Sequence, residues 1–323
     1  MSSLWSLRTS ALAVAINSVL VFGASAADQA TQSDDGIARL DQVQVTAERK
    51  AEASKDVPVS ATVLRPEYLD AIATSASDVR VLAGKAPSLN VESSNGRVFP
   101  RFYIRGYGNT DYTTYASQPV SFVYDDVVYE NAFLKGFPMF DLASVEVLRG
   151  PQGTQFGRNT PAGVVKLNSV KPEIGVTGGY VSASYGTHAT SSLEGAVNLP
   201  INDAWAMRIS LLQQHRDDWV TSQVTGQKLE GYDDNAARVQ VLFKPGDDFE
   251  ALFNAHVRKL NGTARLFRAN IFKHGTNQLV DGFDERKVWT DGYNTQQLTT
   301  WGASANLTWD LGDIAIHSIT GYE

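Results

Sequence analysis

A glycine-rich run between residues 144 and 172 constrains the fold of this chain more than any other feature. Within this run, short apolar strands are predicted near the two ends, at residues 145–148 and 164–167. Four glycines in the run can supply positive φ or a close backbone approach, namely Gly150, Gly153, Gly157 and Gly163. No Gly-Lys-Ser or Gly-Lys-Thr sequence closes the loop, which argues against a phosphate-binding loop. The run therefore predicts a strand, a glycine-rich loop and a second strand.

From about residue 175 the pattern changes to long segments in which apolar and polar residues alternate. Seven strands are predicted, near 176–186, 190–200, 204–216, 233–244, 249–260, 298–310 and 313–322. Segments of about ten residues with aromatic ends, such as Trp301 and Trp309, favour strands that cross a membrane. Short turns are predicted at 200–203, 245–248 and 311–313, and a long polar connection at 260–297. This arrangement is typical of a β-barrel wall.

The N-terminus has the order of features that a secretory signal peptide shows. Arg8 supplies a positive charge, residues 11–22 are apolar but too few to cross a bilayer as a helix, and Ala24-Ser25-Ala26 resembles a cleavage site. No later apolar run is long enough for a transmembrane helix. The chain has no cysteine, which is compatible with an oxidising periplasm.

Composition and motifs argue against several function classes. The net charge of −7 disfavours a nucleic-acid partner, which would require a basic face. The five histidines are scattered, and neither a His-Glu-x-x-His motif nor a serine elbow occurs. The adjacent Asp125 and Asp126 would point apart on a strand, without further ligands at calcium-loop spacing. We therefore expect no catalytic residues, no metal site and no cofactor.

Three motifs together carry a family resemblance. Residues 102–106 read Phe-Tyr-Ile-Arg-Gly, residues 120–129 form an apolar hairpin pattern around Asp125-Asp126, and the glycine-rich run follows. In this order they resemble the plug domain of TonB-dependent outer-membrane receptors of the siderophore-receptor type. Asp126 stands where that family usually has glycine, although aspartate also tolerates the left-handed geometry of a tight turn.

The resemblance implies a mainly β fold, with an α+β plug domain followed by antiparallel strands of an outer-membrane β-barrel. The expected divisions are a signal peptide at 1–26, a flexible segment with a TonB box at 27–56, a plug at 57–172 and barrel strands at 173–323. Barrels of this family have about 22 strands. Seven strands cannot close around a plug, so the sequence is expected to be the truncated N-terminal part of a longer receptor.

A TonB box is implied in the segment that precedes the plug. Its residues would be Val43, Gln44, Val45, Thr46 and Ala47, in which two valines alternate with polar residues. Such an extended segment can add as a strand to the edge of a partner's sheet. About a dozen residues separate the cleavage site from the box, too few for the N-terminal signalling domain of some family members.

The resemblance also implies contacts between plug and barrel. Arg105 and Arg149 each end a plug strand just before a glycine. In the family, arginines at these motifs pair with carboxylates of the barrel wall, where a guanidinium can bond bidentately. Glu146 is expected as a partner on the plug side.

Ligand contacts are expected on two loops beside the Ile-Arg-Gly strand, at 93–101 and 107–118. The loops carry Arg97, Arg101, Tyr112 and Tyr115. Arginine can bond an anionic chelate, and tyrosine offers rigid amphipathic contact area.

The implied function is energy-coupled uptake of a scarce ligand at the outer membrane of a Gram-negative bacterium. The implied partners are TonB with its inner-membrane energising complex, outer-membrane lipid and a small-molecule ligand. A ferric siderophore is favoured, and cobalamin or an oligosaccharide stays open. Alternatives from other classes are a truncated TonB-binding product that does not transport, and a passive barrel.

Overall fold

The computed structural model describes residues 16–22, 44–45, 52–53, 57–73, 78–108, 111, 113 and 116–323. Among these residues, no helix combines the length and apolarity that a membrane crossing requires. Three of the described strands precede the plug region, and the second and third pair with each other antiparallel. They are β1 (Ile16–Phe22), β2 (Gln44–Val45) and β3 (Glu52–Ala53).

The plug is built around a five-stranded mixed sheet. Its strands and helices are β4 (Ser60–Leu64), α1 (Pro66–Ile72), a 3-10 helix (Val79–Leu82), β5 (Leu89–Glu92), β6 (Arg101–Ile104), β7 (Tyr107–Gly108), β8 (Val120–Tyr124), β9 (Val127–Tyr129), a 3-10 helix (Leu134–Gly136), β10 (Leu142–Arg149), α2 (Gly153–Phe156) and β11 (Gly163–Ser169). The main sheet has the order β4-β10-β11-β8-β9, and β5, β6 and β7 form a smaller sheet.

Local sequence explains how these elements start and turn. Pro66 occupies the first turn of α1, where a missing N–H is harmless. The Asp78 carboxylate caps the first 3-10 helix by accepting from the Arg80 backbone N–H at 2.9 Å. Asp125 and Asp126 both have positive φ, so the predicted tight turn between β8 and β9 is present.

The glycine-rich run forms the predicted strand, loop and strand. β10 and β11 are longer than the apolar stretches suggested, and they pair antiparallel with Arg149 opposite Gly163. Gly163 has a φ of +148°, and a Cβ there would lie 2.2 Å from the Leu148 carbonyl oxygen. Only glycine allows this close approach.

The plug core lies on both faces of the main sheet. One face packs Phe122, Val145 and Val165 against the segments that precede β8. The other face packs Val123, Leu148 and Phe156 into a smaller cluster. This burial on both faces explains why β8, β10 and β11 are largely apolar. Ser121, Glu146 and Lys166 interrupt the apolar residues and are buried as well.

The second half of the chain forms one large antiparallel sheet, which we call the wall sheet. In chain order, the strands of this half are β12 (Gly178–Tyr185), β13 (Ser191–Asn202), β14 (Trp205–Arg216), β15 (Val220–Ser222), β16 (Lys228–Leu229), β17 (Tyr232–Phe243), β18 (Phe249–Gly262), β19 (Lys287–Val288), β20 (Gln296–Asp310) and β21 (Ala315–Tyr322). The short strands β15, β16 and β19 lie in the connections and are not part of the wall sheet. The order is β1-β12-β13-β14-β17-β18-β20-β21, so the seven predicted strands are confirmed and β1 is an additional edge strand.

β1 lies within the segment that the sequence predicts as a signal peptide, and cleavage of that segment stays a prediction. Strands β15, β16 and β19 form a small separate sheet in the connections. Short turns join β13 to β14, β17 to β18 and β20 to β21, whereas β18 and β20 are joined by the long connection. These three turns lie at one end of the wall sheet, and the long connection lies at the other end, together with the five-residue connection between β12 and β13.

The wall sheet exposes its apolar side and buries its polar side. In β18, Phe253 and Val257 are exposed, whereas Asn254, His256 and Arg258 are buried against the plug. A water-soluble sheet has the opposite arrangement, because exposed apolar area is unfavourable in water. An apolar outer face with polar residues inside is typical of a sheet that faces lipid.

Aromatic residues gather at the short-turn end of this outer face. The Trp205 and Phe243 rings stack at a centroid distance of 4.3 Å, and Phe249 meets Trp309 edge-on at 6.3 Å. Aromatic side chains at such a level are enriched where a membrane meets water.

Candidate functional site

The candidate site is the interface between the plug and the polar face of the wall sheet. Side chains alternate along a strand, so every second residue of a wall strand points to the same side of the sheet. Three wall arginines project toward the plug in this way, from β14, β17 and β18. They are Arg208, Arg238 and Arg258, and the last two are almost completely buried.

The first buried network is centred on Asp141, which precedes β10 in the plug. Its carboxylate accepts from Arg208 Nε at 2.8 Å, Arg208 Nη2 at 2.5 Å and Ser210 Oγ at 2.5 Å. Arg238 Nη2 donates to the Asp141 carboxylate at 3.1 Å and to its carbonyl oxygen at 2.9 Å. Arg238 also donates to the Tyr124 hydroxyl.

Two opposing effects act on the Asp141 carboxyl. Burial raises its pKa, but hydrogen bonds from Arg208 and Ser210 and the charge of Arg238 outweigh burial, so the pKa lies below its ordinary value. Asp141 is therefore a carboxylate between two wall arginines. Its backbone N–H donates to Glu194 Oε1 on β13 at 2.9 Å, which adds a further bond between plug and wall.

The second network is centred on Asp234 of the wall. Arg97 of the plug donates to Asp234 Oδ2 through Nε at 2.9 Å, and Arg258 donates to both carboxylate oxygens at 2.8 Å. Arg97 also donates to Gln214 and lies over the Tyr232 ring at 4.3 Å. Arg258 in turn donates to the Gly136 carbonyl oxygen of the plug at 2.7 Å.

A third set of bonds holds the turn between β8 and β9. Asn254 Nδ2 of the wall donates to Asp125 Oδ2 at 3.1 Å, and Asp125 also accepts from Ser169. Gln240 Nε2 donates to the Ser169 hydroxyl at 2.8 Å. The Tyr129 hydroxyl and His256 Nε2 are 3.2 Å apart.

Apolar packing contributes to the interface as well. Leu212 and Ala236 of the wall join the main plug cluster, and Leu260 packs with Val98 and Phe99. The polar networks nevertheless set the position of the plug, because a buried charge must keep its partner. Buried ion pairs add little net stability compared with apolar packing. The interface can therefore fix the position of the plug, and water can hydrate its charged groups when the plug and the wall separate.

Two of the expected ligand contacts, Arg97 and Arg101, are buried, and their ligand role stays a prediction. Arg97 is 7% exposed and belongs to the Asp234 network, and Arg101 is 4% exposed with an ion pair to Glu92 at 2.7 Å. Both side chains are thus held inside the protein rather than displayed on a solvated loop. Tyr112 and Tyr115 lie outside the described residues, so their ligand role stays a prediction.

The residues predicted to join plug and barrel have other neighbours. Arg149 donates to Ser60 Oγ and Thr62 Oγ1 on β4 at 2.9–3.0 Å, and these bonds stay within the plug. Arg105 is exposed, with no side-chain bond to the part of the chain that the structure describes. Glu146 is buried and accepts from Asn168 Nδ2 at 2.8 Å, again within the plug.

Within the described residues, plug-to-wall pairing of the expected kind occurs at Arg97 and Asp234. Pairing of Arg105 or Arg149 with carboxylates of later barrel strands stays a prediction. The sequence alone did not point to Asp141, Asp234 or the three wall arginines. A usable signal existed, because Asp234, Arg238 and Arg258 occupy the polar positions of strands whose alternate positions are apolar. Charges at such positions must face a polar interior.

Of the predicted TonB box, only Gln44 and Val45 are described. They form β2, which pairs with β3 in the register Gln44 opposite Ala53 and Val45 opposite Glu52. Val43, Thr46 and Ala47 lie outside the described residues. The box assignment stays a prediction.

Comparison with known proteins gives a consistent result. A family model described as TonB-dependent Receptor Plug Domain matches residues 53–164. The pesticin receptor of Yersinia enterocolitica is 29% identical over 236 residues, which cover 71% of this chain and 33% of that receptor. The pesticin receptor of Yersinia pestis matches to the same extent. The chain thus spans about a third of the length of these curated relatives.

Solved structures share the fold. The ferric yersiniabactin uptake receptor FyuA from Yersinia pestis matches with a TM-score of 0.70 and 21% identity, over 81% of this chain and 40% of that one. The ferric-catecholate import receptor Fiu from E. coli K12, in its open form, matches with a TM-score of 0.63 and 19% identity, over 83% of this chain and 39% of that one. Plug and wall sheet are both needed for coverage of this extent.

Proposed function

We propose that this chain forms part of an outer-membrane receptor for energy-coupled uptake of a scarce ligand, because residues 53–164 match the TonB-dependent receptor plug family. The observation that carries the proposal is the plug seated on the polar side of a sheet whose other side is apolar. Such a sheet fits a membrane barrel, and a plug against its inner face would close the lumen.

The polar interface supports a transport role. Asp141 and Asp234 bond to arginines across the boundary between plug and wall. When the plug shifts, water can hydrate these charges, whereas an apolar interface of equal area would expose hydrophobic surface. The plug can therefore be held firmly at rest and still be displaced by a pull.

The proposed source of the pull is TonB, energised from the inner membrane and acting on residues 43–47. The segment suits strand addition, because main-chain hydrogen bonds give the grip and alternate side chains give selectivity. In the described structure Val45 lies in β2, opposite Glu52. Exchange of that short pairing for a strand of TonB would leave the backbone groups satisfied.

A ferric siderophore is the favoured ligand. The ferric yersiniabactin receptor FyuA and the ferric-catecholate receptor Fiu both share this fold. Tyr112 and Tyr115 are the proposed aromatic contacts on the plug loop. Cobalamin or an oligosaccharide would require a different set of contacts and remains the alternative within the family.

Val45→Pro tests the proposal in the full-length protein. Proline removes the N–H that the added strand donates, so uptake of a radiolabelled ferric siderophore should fall to background. Equilibrium binding of the same complex should be unchanged. Val45→Thr, which keeps the N–H and the β-branched shape, is the matched control and should transport normally.

Uptake at the wild-type rate in Val45→Pro cells would remove the box assignment. A protein that binds a purified TonB fragment but never accumulates ligand would instead favour the non-transporting alternative. Ligand entry in cells without TonB would favour a passive barrel.

A further inference from the structure

An arginine-lined cavity lies where the plug meets the long-connection end of the wall sheet. It has a volume of about 310 Å³. The plug loop around Gly96, the end of β14, the start of β17 and the segment after β18 enclose it. The lining arginines, which define what we call the arginine cavity, are Arg80, Arg97, Arg216, Arg265 and Arg268.

Two of these arginines already have carboxylate partners. Arg80 bonds to Asp78 at 2.6 Å, and Arg97 bonds to Asp234 at 2.9 Å. Arg216, Arg265 and Arg268 have no ion pair within the described residues. Glu230 also lines the cavity, and its Oε1 accepts from the Leu266 backbone N–H at 3.3 Å. The lining thus carries an excess of positive charge although the whole chain is acidic.

The guanidinium groups are held in place but are short of acceptors. Arg216 lies 5.5 Å from the Trp219 ring centroid, and Arg268 Nη2 donates to the Glu285 carbonyl oxygen at 2.6 Å. The Nε atoms of both arginines are buried without a hydrogen-bond partner in the described structure. Buried donors without acceptors are rare in folded proteins, and each requires an explanation.

The plug closes one side of the cavity tightly. Gly96 has a φ of +64°, and a Cβ there would lie 2.9 Å from the Thr263 carbonyl oxygen. Gln296 Nε2 donates to the Asn95 carbonyl oxygen at 2.7 Å, which ties the same plug loop to β20. A molecule in the cavity would therefore touch the plug and the wall together.

We propose that the arginine cavity binds a multiply charged oxyanion, a small molecule with carboxylate or phosphate groups. The planar guanidinium forks match the geometry of both groups and bond them bidentately. The volume is near the lower limit for a small-molecule site, so a compact anion or one arm of a larger chelate fits. That this anion belongs to the imported ligand rests on the proposed function, whereas the binding itself does not.

Isothermal titration of the full-length protein in detergent tests the site, with citrate and inorganic phosphate as separate probes. We expect saturable binding of at least one of them, and the preferred probe distinguishes a polycarboxylate from a phosphate source. Arg216→Gln combined with Arg268→Gln should weaken that binding at least about tenfold, as expected for loss of charge-assisted hydrogen bonds.

Arg286→Gln is the matched control, because it removes an exposed arginine of the same connection that does not line the cavity. It should leave the affinity unchanged. Arg265→Gln is a second test variant for the case that the double variant does not fold. Arg265 is exposed, so its replacement should leave the fold intact while it weakens anion binding. The preferred anion should raise the Tm of the wild type and not that of the double variant.

The proposal would be overturned if neither citrate nor phosphate bound. It would also be overturned if the double variant and the Arg286→Gln control bound the preferred anion with equal affinity. These outcomes differ from a failed uptake test. Titration needs no TonB, so a lost anion site leaves the transport proposal standing, and normal uptake by Val45→Pro leaves the anion site standing.

Discussion

At the scale of single residues, buried charges determine how the plug sits on the wall. Asp234 is the clearest case, because it accepts from Arg97 of the plug and from Arg258 of its own sheet while fully buried. The sequence predicted pairs between plug arginines and wall carboxylates at Arg105 and Arg149, which stays a prediction, and it did not single out Arg97 for such a pair. The choice among arginines depends on how the two parts dock, and local sequence does not encode this.

Asp234→Asn should destabilise the protein by about 3–5 kcal/mol, because two buried guanidinium groups lose their shared carboxylate. The free energy of unfolding, measured by urea titration in detergent, checks this. Asp233→Asn is the control, since Asp233 is the neighbouring residue on the exposed side of the same strand. A similar loss in both variants would mean that the buried network does not hold the plug.

Lys135 predicts a pH dependence. Burial lowers the pKa of its ammonium group to about 8, although Nζ donates to Gln118 Oε1 at 2.7 Å. In the unfolded chain a lysine titrates near 10.4. Between these two values the unfolded chain holds more protons than the folded one, so the free energy of unfolding rises with pH.

From pH 8 to pH 9.5 this gain should reach roughly 1.5 kcal/mol, and Lys135→Met should lack it. Urea unfolding at several pH values provides the measurement, and the range ends below the titration of tyrosine. Lys85→Met, which removes an exposed lysine of the plug, should keep the wild-type slope. Parallel curves for Lys135→Met and the wild type would contradict the assignment.

At the scale of elements, period-two alternation located all seven long wall strands. Alternation works there because each strand has one face toward lipid and one toward the plug. The short strands β15, β16 and β19 were not predicted, since two or three residues carry no periodic signal. In the plug, the apolar parts of β10 and β11 were predicted, but their polar ends were not.

Gly163→Ala tests the close approach between β10 and β11. The φ of +148° and the 2.2 Å distance from a new Cβ to the Leu148 oxygen should cost about 2 kcal/mol or more in the free energy of unfolding. Gly153→Ala is the matched control in the same loop, because its nearest neighbour would be Thr160 Oγ1 at 3.9 Å. Equal stabilities of the two variants would show that the strand pair can relax around a methyl group.

At the scale of the whole molecule, the plug sheet and the wall sheet are separate. No backbone ladder joins them in the described structure, and side chains make the connection. Sequence reasoning could predict both parts because each has its own periodic pattern. It could not predict the contacts, which depend on the relative placement of residues far apart in the chain, such as Arg97 and Asp234, which are 137 positions apart.

The position of β4 sets the order in which the plug would yield to mechanical load. β4 is an edge strand, held to β10 by five paired residues. A pull transmitted through the segment after Ala53 reaches it before any other strand of the plug sheet. The Arg149 side chain on β10 adds hydrogen bonds to Ser60 and Thr62 on β4. Under tension β4 would detach first while β10, β11 and β8 stay paired, so the plug would open in steps whose first threshold is set by this short ladder and one arginine.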